Sequence, residues 1–294
     1  MSNPANMRLI NPLERPIRTA RDRVQGVVRD IVAGGQEPSP REWDPDDPGF
    51  FREGHAVRIV QADAAAFIGG IRSILLQSLH PKAMYAVSQH SAFREDPLGR
   101  LQRTSAFLGA TIFGSGTEAQ QAVDIVRKVH TRVEGVMPDG EPYAASDPHL
   151  LRWVHITEVD SFLRAFQQYG TASVSPSQAD EYVDGMARVG LALGMEDAPR
   201  SVAELAMDLE RYRPELHGTP WSEEATLFLA SPPLPLSVLP AYGLMFAAAT
   251  ASLPWWARNM LMLPVPPGID RLAIRPVAKL MTRSLTWALQ PSRG

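Results

Sequence analysis

An all-α fold is what the sequence predicts, and three observations predict it. Helix-start and helix-stop residues recur along the whole chain. Alternating strand patterns are nearly absent, and most of the 26 prolines stand where a helix would begin.

Taken in order, Asn11-Pro12 opens an amphipathic, Arg-rich segment that Gly34-Gly35 stops. Residues 37–49 read as an irregular Pro- and Asp-rich loop. Residues 56–79 read as one long apolar helix interrupted at Gly69-Gly70, and Pro81 starts the next, with His80 held out of helical dihedrals. Asp96-Pro97 looks like another start. Thr117 and Gln120 have the spacing of a capping box, and Gly135 is the expected stop. Asp147-Pro148 begins a helix that Gly170 ends. Ser175 with Gln178, and Ser201 with Glu204, are further capping boxes. Pro267 to Leu289 reads as a final helix kinked at Pro276. No internal repeat or low-complexity tract interrupts this. The domain reading is therefore an N-terminal helix and Pro-rich loop over 1–54, then a single helical domain over 55–294.

Composition narrows the function. The 294 residues can bury a substantial core, with 45% hydrophobic and 21% charged residues. A net charge of −3 offers no global basic field for nucleic acid. With no cysteine, disulfides, Fe–S clusters, thiolate-ligated haem and Cys-based zinc sites are excluded. Residues 1–30 carry six arginines but no apolar h-region, so no signal peptide is expected, and a cytoplasmic location follows as the expectation. From Ala225 to Ala257 no residue is charged, yet Pro232, Pro233, Pro235, Pro240 and Pro254 break the stretch. A buried helix hairpin is expected there, with a peripheral membrane contact through 236–263 as the intermediate case between it and a spanning helix.

Two constellations carry chemistry. On a helix, Arg100, Arg103, Thr104 and Phe107 share one face. Two guanidinium groups and a hydroxyl suit a bound anion, and the same spacing also describes a solvated basic face. His130 borders the apolar side of its helix, with Glu134 four residues on as a candidate partner for its ring. His155 lies among Leu151, Glu158, Val159 and Phe162 at helical spacing. Each histidine reads equally as a satisfied core residue. His90, His149 and His217 look exposed, and no His-x-x-x-His or His-Glu-x-x-His spacing is present. Neither a dinucleotide loop nor a nucleophile elbow appears.

The ordered series Gly69-Gly70-Ile71-Arg72, Leu76 to Pro81, Asp96-Pro97 through Arg100 to Thr104, Phe113-Gly114, His130 to Gly135, Tyr143, Asp147-Pro148 and Leu151 to His155 resembles the rubber oxygenase catalytic-domain family. That family includes the latex clearing proteins and the fungal oxygenase of mycophenolic acid biosynthesis. The resemblance spans roughly residues 55–260. It implies an all-helical, globin-like core that holds haem b, with His130 as the axial iron ligand and His155 supporting the pocket. Arg100, Arg103 and Thr104 match the family's Arg, Lys and Thr on the distal side, and Arg100 would pair with a propionate.

Two departures stand out. Arg103 replaces the family's lysine, and a guanidinium has no lone pair to give iron. The glutamate that the rubber oxygenases carry upstream has no counterpart, because no Asp or Glu lies between Asp63 and Glu95. The resemblance thus implies a haem oxygenase that uses molecular oxygen on a hydrophobic, isoprenoid or lipid-like substrate. A haem-binding sensor or carrier, and a cofactor-free membrane-associated helical protein, are the alternatives.

Overall fold

The computed structural model describes residues 14–35 and 44–289. Among these the helices are α1 (Glu14–Ala33), α2 (Ala56–Gln61), α3 (Ala65–Gln77), α4 (Pro81–His90), α5 (Pro97–Phe113), α6 (Gly116–His130), α7 (Pro148–Tyr169), α8 (Pro176–Leu193), α9 (Val202–Tyr212), α10 (Pro220–Ala230), α11 (Leu239–Ser252), α12 (Trp255–Met260) and α13 (Arg275–Leu289). A two-stranded antiparallel ribbon, β1 (Glu134–Val136) with β2 (Pro142–Ala144), pairs Gly135 with Tyr143. The fold is all-α apart from that ribbon.

The central contact is α3 on α7. Gly69 makes it close: a Cβ there would lie 3.0 Å from Cα of Phe162. The glycines therefore sit inside α3 and do not break it. The break in the 56–79 stretch falls instead at Asp63. Its carboxylate accepts from Ala65 N at 2.8 Å, starting α3, and from the Thr171 amide and hydroxyl. Side-chain competition with the helical ladder ends α2. Arg72, 2% exposed, ties α3 to two other helices. It pairs with Asp160 at 2.7 Å, donates to Ser161 Oγ at 2.7 Å, and reaches the Ser252 carbonyl of α11. Trp153, fully buried, donates its indole N–H to Gln77 O. The Gly-Gly-Ile-Arg motif is thus a packing device with a buried, hydrogen-bonded cation.

Most capping expectations hold, with local shifts. Asp147, Ser175 and Ser201 cap α7, α8 and α9. Glu204 bonds the Arg200 amide, so the box at Ser201 is only half closed. The cap of α6 is Ser115 with Glu118, two residues before Thr117, because Gly114 has already ended α5. Helix α6 stops at His130, and Gly135 lies in β1, where a side chain would strike the Tyr143 hydroxyl. The final helix is shorter than expected: a π-helical turn over Asp270–Ile274 precedes α13, just before Pro276. Gly34 and Gly35, both at positive φ, terminate α1, whereas Asn11-Pro12 and residues 37–43 lie outside the described residues.

The uncharged 225–257 stretch forms α10, α11 and α12 separated by prolines. No helix among the described residues is long and apolar enough to cross a membrane. Helix α1 lies along α5 and α13, and Gln25 donates to the Ala288 carbonyl at 2.7 Å.

Candidate functional site

Helices α5 and α6 pack together and are joined by Gly114-Ser115 alone, so they run back to back as an antiparallel hairpin. Arg100 and His130 lie nearly equal numbers of residues from that turn. At about 1.5 Å rise per residue each stands about 21–22 Å from it. The hairpin therefore brings the start of the Arg100–Thr104 run and His130 to the same end. Besides α1, it packs against α2 and α8, which also abut α7.

His130 is the last residue of α6 and is half-buried. Its Nδ1 is enclosed and has no hydrogen-bond partner among the described residues. Burial lowers its pKa, so the ring is neutral near pH 7 and carries a free lone pair. Glu134 is exposed on β1 and makes no hydrogen bond to the ring. Arg100 is half-buried, with no counter-charge paired to it. Burial, and then the neighbouring Arg103, lowers its pKa. It is a partly desolvated cation.

The rest of the run points elsewhere. Arg103 is exposed and pairs with Asp96, the N-cap of the same helix, at 3.1 Å. Thr104, also exposed, donates its hydroxyl to the Arg100 carbonyl at 3.0 Å. The shared helix face is real, and these two side chains are spent on contacts within α5.

His155 is 7% exposed on the side of α7 that meets Gly190 of α8. Its Nε2 is enclosed without a partner. Burial, and then the Arg152 guanidinium, pushes its pKa down to about 4. Arg152 is itself anchored on Asp208 at 2.6 Å.

One residue on this face was named in the sequence only as a neighbour of His155. Glu158, one turn after His155, has no hydrogen-bond partner among the described residues, and burial pushes its carboxyl up to about 7. It retains some accessible surface. Its charge is felt by Tyr182 of α8, whose hydroxyl accepts from Gln61 of α2. The signal in the sequence was an acid at helical spacing from His155, beside the apolar Leu151, Val159 and Phe162. A neutral imidazole and a guanidinium without a paired anion among the described residues, on the α5–α6 hairpin, suit a metal-bearing, anionic cofactor, and a carboxyl poised near neutrality on α7 can hold or release a proton.

Comparison with known proteins agrees with this architecture. Residues 57–287 match the family described as ER-bound oxygenase mpaB/B'/Rubber oxygenase, catalytic domain. Among solved structures, the chain is similar to latex clearing protein LCP in the closed state. The match has a TM-score of 0.55 and 17% identity, and covers 94% of this chain and 86% of that one. A comparison with curated proteins finds no match. The family match covers more than three quarters of the sequence in the register of the α2–α13 core, and the chain therefore belongs to the mpaB/rubber oxygenase catalytic-domain family.

Proposed function

We propose that this protein is a haem b-dependent oxygenase that acts on a hydrophobic organic substrate, isoprenoid or lipid-like, with molecular oxygen. The observation that carries the proposal is the neutral, unpartnered imidazole of His130, level with the unpaired Arg100 on one hairpin. The donor set fits haem b. A neutral ring nitrogen suits iron, a desolvated guanidinium suits a propionate, and no cysteine competes. When bound, haem would supply the oxygen chemistry, and the protein would position it and shape its surroundings.

In this reading His130 would hold the iron and Arg100 would hold a propionate. His155 keeps the wall of the pocket neutral and tightly packed. Glu158 holds or releases a proton at its carboxyl in the neutral pH range. Arg103 and Thr104 would reach a ligand only by giving up Asp96 and the Arg100 carbonyl. A peripheral contact of 236–263 with a membrane surface belongs to the same reading, and the bare side chains of Leu236, Trp255 and Met262 support it. So does a cytoplasmic location with that face against lipid.

The test is a hemin titration of the purified chain followed by oxygen uptake with isoprenoid and fatty-acid substrates. A Soret band that saturates at one haem per chain, with substrate-dependent oxygen consumption, is the expected result. A chain that refuses hemin rejects the proposal. A chain that binds hemin and consumes no oxygen with any hydrophobic substrate is a haem carrier or sensor instead.

A further inference from the structure

A second cluster lies away from the α5–α6 hairpin, where three separate elements meet. His80 is the residue before α4, His149 is the second residue of α7, and Glu215 closes a 3-10 turn after α9. One ligand-type atom from each lies within 4.8 Å of the other two. His149 Nε2 stands 2.8 Å from Glu215 Oε2, and His80 Nε2 stands 3.4 Å from the same oxygen.

Hydrogen-bond bookkeeping says what belongs between them. The Tyr212 hydroxyl donates its one proton to the His149 carbonyl at 2.8 Å. At 3.2 Å from His149 Nδ1 it can therefore only accept, which places a proton on Nδ1. Nε2 then has a lone pair facing a carboxylate oxygen at hydrogen-bond distance. That contact is repulsive unless a cation sits there, either a second proton or a metal ion. His80 adds an independent observation. It is 4% exposed, and neither ring nitrogen has a hydrogen-bond partner among the described residues. Its Nε2 has only the 3.4 Å ion-pair contact with Glu215, and a buried imidazole so poorly satisfied is costly unless something occupies the space beside it.

The geometry points to a divalent transition-metal site of the zinc class, built from His80, His149 and Glu215. Bonds of about 2.0–2.2 Å in tetrahedral geometry put ligand atoms about 3.3–3.6 Å apart. The His80–Glu215 spacing of 3.4 Å falls in that range and the His149–Glu215 spacing of 2.8 Å lies below it, so a small outward shift of His149 seats an ion. Two nitrogens and one oxygen suit Zn²⁺. The Tyr212 hydroxyl, bonded to His149 Nδ1, would orient that ligand from behind. The fourth position is open. His80 and Glu215 border a cleft of about 510 Å³, also lined by Lys82, Met137, His217 and Trp221. An open fourth position is the pattern of a zinc ion that binds water or a substrate group, beyond any need for a structural clamp.

The site is separate from the proposed haem ligands, so it is tested separately. The full chain, with and without hemin, is dialysed to equilibrium against Zn²⁺ in metal-depleted buffer. Cobalt is used in parallel on the hemin-free chain as a spectroscopic probe. One Zn²⁺ per chain is expected, together with the intense visible bands of tetrahedral Co²⁺. The exposed ligands give variants that fold: His149→Ala and Glu215→Gln should each weaken Zn²⁺ by well over tenfold, and Tyr212→Phe by about tenfold. His130→Ala should bind Zn²⁺ as wild type does, which separates this inference from the haem assignment. Absence of Zn²⁺ binding at tens of micromolar would overturn it. Equal binding in the His149 and Glu215 variants, or loss of binding in His130→Ala, would overturn it as well.

Discussion

A Cβ on Gly190 would stand 3.0 Å from both Cε1 and Nδ1 of His155 and 2.7 Å from Sδ of Met195. Helix α8 therefore meets the α7 imidazole with no side chain between them. Gly190→Ala should force the ring or the thioether to shift. Overpacking of this kind costs about 1–3 kcal/mol. Thermal unfolding of the variant checks it. An unchanged or raised Tm would mean that the α7–α8 contact has slack.

The two histidines should separate by experiment. His130→Ala should abolish or greatly weaken haem uptake with little loss of fold, because the ring is half-buried at a helix end. His155→Ala should keep haem and lose stability, by about 1–3 kcal/mol, because it empties a buried position. Soret absorbance and Tm, measured on both variants, decide it. Equal haem occupancy in wild type and His130→Ala would reject the axial assignment. Haem loss confined to His155→Ala would exchange the two roles.

Glu158 makes a signed prediction about pH. Its folded carboxyl titrates at about 7, against 4.5 for an ordinary one, so the folded state holds the proton more tightly. The stabilisation is complete below about pH 4.5 and is lost as pH rises through about 7. Glu158→Gln should remove that dependence and make the protein more stable than wild type at pH 8, by up to about 3 kcal/mol. Urea unfolding of both proteins at pH 5 and pH 8 measures the difference. Parallel pH profiles would show that Glu158 is solvated.

Arg100 is a desolvated cation with no paired anion. Replacing it by an apolar side chain of similar length should move two quantities in opposite directions. Arg100→Met should raise the stability of the haem-free protein, on the order of 1 kcal/mol, because an uncompensated charge leaves the interior. It should weaken hemin binding about 10–100-fold, because a charge-assisted hydrogen bond to a propionate is worth about 1.5–3 kcal/mol. A variant that binds hemin as tightly as wild type would remove Arg100 from the pocket.

The fold class was legible because helix boundaries are local events. Asp147-Pro148, Ser175 with Gln178, and Gly34-Gly35 each act on the backbone within four residues, so their spacing is enough to recognise them. The shared face of Arg100, Arg103 and Thr104 and the inward setting of His155 follow from helical periodicity in the same way. Where the local signals erred, a distant partner had intervened. The break in the 56–79 stretch belongs to Asp63 because Thr171, 108 residues away, holds its carboxylate. Gly69-Gly70 stays helical because Phe162 needs the room.

Charge state and partnership were beyond the sequence for the same reason. Glu158 looked like any acid beside His155, and only the closing of α2 and α8 around it drives its carboxyl toward neutrality. His80, His149 and Glu215 span 135 positions, so no spacing rule joins them, and His149 by itself reads as a solvated surface residue. Arg103 shows the converse. Periodicity aimed it at a ligand, and the exposed carboxylate of its own N-cap claimed it. The sequence by itself determined which backbone segments coil and which residues ride each face, since both depend on neighbours within a turn or two. Which side chains meet, which lose their water and which are left without a partner was decided only by the tertiary structure, because desolvation and ligand geometry depend on residues far apart in the chain.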